Sequence, residues 1–148
     1  MSIRKVLVAV DGSNHSFNAS TYAIDWAKRN DAELIAIHVI YPTYSPFQTA
    51  LSPRPERIQE ITKKEREEGQ RYVDKVKQQA TEKNVSVKTD VIVGVASVVK
   101  EIVEYAENNK VDIIIIGSRG MTGFKKMLLG SIATGVVTYS HCPVLIVK

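Results

Sequence analysis

Short apolar runs alternate with amphipathic stretches along this chain. Lys5-Val6-Leu7-Val8-Ala9-Val10 is the first run, and it ends at Asp11-Gly12-Ser13. A strand that is apolar on both faces must be covered on both, which predicts a parallel sheet with helices on each side. The same character recurs in 33–40, in 112–116 and in 143–147, while 85–93 alternates partly and predicts one more strand.

Between these runs the apolar period changes to that of a helix. Ser13 or Asn14 caps a helix through Asn30, with Ser20, Ala23, Ile24 and Ala27 on its inner stripe. Pro42, Pro46, Pro53 and Pro55 mark an irregular loop, because proline restricts its own backbone and that of the preceding residue. A charged helix over 56–83 follows, with a sparse stripe of Ile58, Ile61, Tyr72, Val73, Val76 and Ala80. Gly69 interrupts it at a cost of about 1 kcal/mol against Ala, which predicts a bend or break there. Val98, Val99, Ile102, Val103 and Ala106 predict a third helix to Asn108, and a fourth runs over 131–139. The order βαβαβαβαβ predicts an α/β fold with an open, doubly wound parallel sheet.

Gly117-Ser118-Arg119-Gly120 follows the fourth strand directly, and Gly130-Ser131 opens the last helix. Glycines after a strand let the chain turn and let a ligand approach the main chain closely. A helix N-terminus just beyond presents unpaired N–H groups and a partial positive charge, which suits phosphate. In doubly wound sheets ligands sit beyond the carboxyl ends of the strands, where strand order reverses. Val10-Asp11-Gly12 and Ile116-Gly117 are the expected flanks of that crevice.

Composition narrows the function classes. The 148 residues suffice for one domain with a full core. The net charge of +4 comes from 20 basic and 16 acidic residues scattered together, not from the clustered basic face that duplex binding needs. Nucleic acid is therefore not an expected partner. No apolar run approaches the roughly 20 residues of a membrane span. The start of the sequence runs into a strand without a leader pattern, and the single Cys142 leaves no internal disulfide. The expectation is a cytoplasmic protein. Gly-x4-Gly-Lys-Ser/Thr and Gly-x-Gly-x-x-Gly are both missing, which removes two other nucleotide-binding designs.

Five landmarks together resemble the universal stress protein family, ATP-binding type. They are Val8-Ala9-Val10-Asp11-Gly12-Ser13, the Ile37-His38-Val39 strand end, Gly117-Ser118-Arg119-Gly120, the stretch from Gly123 to Gly130-Ser131, and the closing Cys142-Pro143-Val144-Leu145-Ile146-Val147. The resemblance implies a five-stranded sheet of order 3-2-1-4-5 (adenine nucleotide alpha-hydrolase-like) and a homodimer through the last strand. It also implies ATP, with or without Mg²⁺, or another adenine nucleotide as ligand. The residues expected at the ligand are Val10, Asp11 and Val39 at strand ends, Gly117, Ser118, Arg119 and Gly120 in the turn, and Gly130, Ser131, Ile132, Ala133 and Thr134 at the last helix. Many ATP-binding members carry a hydroxyl at the position of Ala133, which here falls one residue on, at Thr134.

Several residues admit two roles. Asp11 either receives ribose or adenine donors or caps the first helix. Ser131 is a phosphate contact, an N-cap, or both. Arg119 steers toward phosphate or is solvated, and Lys125 and Lys126 read as solvated. His15, His38 and His141 have no metal-ligand spacing, and Cys142 has no identifiable base. Three functions follow: an ATP-binding regulatory module, a slow ATPase or phosphotransferase, or a nucleotide-free interaction module. In each, Val144-Leu145-Ile146-Val147 at the sheet edge predicts pairing with a second copy.

Overall fold

The computed structural model describes residues 2–41, 55–120 and 129–148. Its elements are β1 (Lys5–Ala9), α1 (Asn14–Asn30), β2 (Glu33–Ile40), α2 (Pro55–Glu82), β3 (Val87–Val93), α3 (Val98–Asn108), β4 (Ile113–Gly117), α4 (Ser131–Tyr139) and β5 (Val144–Val147). The strands form one sheet of order β3-β2-β1-β4-β5, and every pairing is parallel. The expected doubly wound sheet and its order are thus observed. The expected proline loop through Pro42, Pro46 and Pro53, and Lys125 and Lys126, lie outside the described residues.

Strand alternation divides the core into two layers. Val6, Val8, Leu34, Ala36, Ile113 and Ile115 pack on one face with Ala23 and Ile24 of α1 and Val73 and Val76 of α2. Leu7, Ile35, Ile37, Ile114 and Ile116 pack on the other with Ile102 of α3 and Val136 of α4. Burying each of the Val, Leu and Ile side chains stabilises by about 1.5–3 kcal/mol, which is why nearly every central-strand position is apolar. Register at the start of the sheet is pinned by Asp112, whose Oδ2 accepts from the N–H groups of Arg4 (2.8 Å) and Lys5 (2.9 Å).

Two expectations need correction. Helix α2 runs through Gly69 without a break. Gly69 is buried against the His38 ring of β2, so the missing side chain makes room for a neighbour instead of ending the helix. Strand β3 starts at Val87 and not at Val85. Asn84 is left-handed (φ 58°), and the Val85 N–H donates back to the Ala80 carbonyl at 2.8 Å, so these residues close α2.

Candidate functional site

Strand β1 ends in a turn held by its own serines. The Ser13 hydroxyl caps α1 by accepting from the Ser16 N–H (3.1 Å), and the Ser16 hydroxyl donates to the Ser13 carbonyl (2.9 Å). Both serines are buried. Asp11 is therefore not the cap of α1. Its Oδ1 accepts from the Ser13 N–H at 2.9 Å, and its own N–H reaches the Ser16 hydroxyl at 3.3 Å. The carboxylate is thereby fixed at the tip of β1, beside the tip of β4.

The glycine motif meets this turn from the other side. A side chain at Gly120 would put its Cβ 2.6 Å from Oδ2 of Asp11. One at Gly117 would lie 2.8 Å from the backbone of His15, and one at Gly130 would lie 3.2 Å from the Ser118 carbonyl. None of these three glycines has positive φ; among the described glycines only Gly12 does, at 87°. Close approach, not unusual backbone geometry, is what demands glycine at 117, 120 and 130.

Helix α4 begins without a side-chain cap. Gly130, in extended conformation, is its N-cap, so Ser131 is the first helical residue and does not fill the capping role. The Gly130 N–H is spent on the Ser118 carbonyl (2.7 Å), and the first intrahelical bond runs from the Thr134 N–H to the Gly130 carbonyl (2.9 Å). The amides of Ser131, Ile132 and Ala133 have no partner within the helix by its geometry, and they carry the positive end of its dipole.

These parts enclose one cavity of about 390 Å³. Val10, Asp11, Gly117, Arg119 and Gly120 form its strand-tip side, and Gly130, Ser131, Ile132 and Ala133 its helix side, with Val39 at the end of β2. Asp11 and Ser131 thus face the same space. Ser118 and Thr134, also expected here, do not line it. Ser118 is buried, with its N–H on the Val147 carbonyl (2.8 Å), and the Thr134 hydroxyl donates back to the Gly130 carbonyl (2.9 Å). Ala9, Ile116, Val98 and Ile102 supply an apolar wall, and His38 and Ser16 complete the rim.

Sequence reasoning passed over His38, Ser16, Val98 and Ile102 as site residues. Val98 and Ile102 sit on an ordinary inward helix stripe, and nothing local says that part of it faces a crevice. The usable signal for His38 was its place beside Val39, as the one polar residue in the apolar run from Leu34 to Ile40. Its Nδ1 lies 2.7 Å from the Val10 carbonyl, and since a carbonyl only accepts, Nδ1 carries the hydrogen. Behind His38, burial pushes the Tyr72 phenol above its usual pKa, and its bond to Glu68 adds to the rise.

An enclosed space with an apolar wall, a carboxylate and free helix amides is suited to a ligand with a flat apolar part, hydroxyl or amine donors, and an anion. Among the described residues no cluster of His, Cys, Asp or Glu is arranged to hold a metal. None of the described helices is long and apolar enough to cross a membrane.

Known proteins share this architecture. Universal stress protein MJ0531 of Methanocaldococcus jannaschii is 42% identical over 146 residues, covering 98% of this chain and 82% of that protein. The solved structure of MJ0577, from the same organism, superposes with a TM-score of 0.84 at 31% identity, covering 100% of this chain and 97% of that one. A universal stress protein solved in complex with cAMP (TM-score 0.68, 24% identity, 100% and 98% covered) and one from Archaeoglobus fulgidus solved with dAMP (TM-score 0.67, 18% identity, 100% of both covered) share the fold. The universal stress protein family matches residues 2–148, and with that match and the relative at 42% identity this chain belongs to it.

Proposed function

We propose that the chain is an adenine-nucleotide-binding regulatory protein of the cytoplasm, with ATP as a ligand of the β1–β4 crevice. The observation that carries this reading is the joint exposure of Asp11, Arg119 and the α4 N-terminus to one cavity with an apolar wall. The base packs against Val39, Val98 and Ile102, and Asp11 receives ribose hydroxyls. The phosphates take the amides of Ser131, Ile132 and Ala133, with Arg119 alongside. Relatives of this fold solved with cAMP and dAMP support an adenine nucleotide in particular. When Mg²⁺ accompanies the nucleotide, phosphate oxygens supply most of its ligands.

Three or four charge-assisted hydrogen bonds at about 1.5–3 kcal/mol each, less the cost of ordering, correspond to affinity in the micromolar range. Isothermal titration with ATP, ADP, AMP and cAMP tests this. Saturable binding, weakened about tenfold or more by Ser131→Asp, is expected from the charge placed at the phosphate amides. The absence of both binding heat and a thermal shift at millimolar nucleotide would overturn it. The same reading includes a homodimer through β5. That strand is at the sheet edge, and Val137 (49% exposed) and Tyr139 (71%) on α4 leave apolar surface uncovered. Sedimentation at micromolar concentration should give twice the chain mass; a monomer would remove this part of the proposal.

A further inference from the structure

One turn of α2 braces the strand-tip wall of the cavity from behind. Gly12 follows Asp11 with a left-handed φ of 87°, and a side chain there would put its Cβ 2.5 Å from Cζ of Tyr72. The Tyr72 ring therefore rests on the bare main chain of the site turn. Its hydroxyl donates to Oε1 of Glu68 at 2.9 Å, one turn back on the same helix. His38 meets the ring edge-on at 5.2 Å between centroids, and Phe17 does so at 6.3 Å. His38 in turn holds the Val10 carbonyl and is received by Gly69 of α2. Glycine thus occurs on both partners of this contact, once in the turn and once in the helix. Each glycine admits an aromatic ring from the other side.

We propose that Tyr72 is a positioning residue for nucleotide binding: its ring, seated on Gly12, fixes the turn that aims the Asp11 carboxylate into the crevice. This rests on the adenine-nucleotide reading above, though Tyr72 itself does not line the cavity. The ring matters more than the hydroxyl, because a Cβ on Gly12 would meet Cζ (2.5 Å) and Cε1 (2.7 Å) ahead of the hydroxyl oxygen (2.8 Å), and Glu68 only sets the ring's rotation. The aromatic contact therefore joins the charged helix α2 to the Asp11 side of the site.

The test pairs a ligand-free readout with a binding readout in the full chain. The Ser13 amide donates to Oδ1 of Asp11, so its hydrogen exchange reports the carboxylate's placement directly. Exchange at Val8, in the buried middle of β1, reports global stability. Tyr72→Leu should speed Ser13 exchange about tenfold relative to Val8, and Tyr72→Phe, which keeps the ring, should leave it within about threefold. Tyr72→Met, nearer in length, replaces Tyr72→Leu should that variant not fold.

In titrations with ATP, Tyr72→Leu should weaken binding about tenfold and Tyr72→Phe little. The double variant Asp11→Asn with Tyr72→Leu should bind no worse than Asp11→Asn alone, because both changes remove the same interaction. Unchanged Ser13 exchange in Tyr72→Leu, or strictly additive losses in the double variant, overturns the positioning role. Failure of the unmodified chain to bind ATP while Ser13 still responds overturns the nucleotide reading and supports the brace.

Discussion

Gly120 lies against Asp11 so closely that any side chain would displace the carboxylate: its Cβ would stand 2.6 Å from Oδ2. The two residues come from the tips of neighbouring strands, more than a hundred positions apart in sequence, and they meet only because β1 and β4 pair in parallel. Gly120→Ala should therefore act on binding before stability. We expect ATP affinity to fall about tenfold, roughly the value of one charge-assisted bond, with the melting temperature little changed. Titration beside thermal unfolding separates the two effects. A large drop in melting temperature at unchanged affinity would contradict this account.

Gly69→Ala sets two opposing terms against each other. Alanine in the middle of α2 gains about 1 kcal/mol of helix propensity. The new methyl group meets the His38 ring, which is held by the Val10 carbonyl and cannot swing aside freely. Overpacking of this kind costs about 1–3 kcal/mol, so net destabilisation of about 1 kcal/mol is expected. Denaturant unfolding measures it, and a stabilised variant would mean that the ring relocates without loss.

Asp112 ties the entry of β4 to the entry of β1 through two backbone N–H groups on a single oxygen. Asp112→Ala leaves both amides without that acceptor. Hydrogen bonds to a charged group contribute about 1.5–3 kcal/mol, and water reaches this half-buried site, so a loss of about 2 kcal/mol is expected. Amide exchange at Lys5 should quicken in parallel. Unaltered stability would show that water replaces the carboxylate without cost.

Tyr105 gives the fold a weakness at high pH. Burial, with the negative charge of Asp90 adding to it, pushes its phenol up to about 12 from an ordinary value of 10.0. The folded state then holds this proton more tightly than the unfolded state. The stabilisation is complete below pH 10.0 and is lost as pH rises toward about 12, because the unfolded chain ionises first. Tyr105→Phe has no proton to lose, so its stability should fall less steeply across that window. Thermal melts of both proteins from pH 9 to 12 provide the check, and parallel curves would sink the assignment.

The chain by itself determined the order and kind of every described element. Unbroken apolar strands require cover on two faces, and 3.6-residue stripes such as Ala23, Ile24 and Ala27 have only one way to face a sheet. It also identified Gly117, Gly120 and Gly130 as special, and Asp11 and Ser131 as crevice residues. Only tertiary structure decided why they are special. The reason at 117, 120 and 130 is a neighbour's atoms, and those neighbours are remote in sequence. Gly69 shows the same limit from the other direction: local propensity predicts a break, yet the His38 ring from β2 fills the space and the helix continues. Ser118 and Thr134 carry hydroxyls in the right stretch, but Ser118 is buried with its N–H on the Val147 carbonyl, the Thr134 hydroxyl is spent on the Gly130 carbonyl, and neither residue lines the cavity. Periodicity reports which face a residue occupies; contact across strands and helices decides what that face touches.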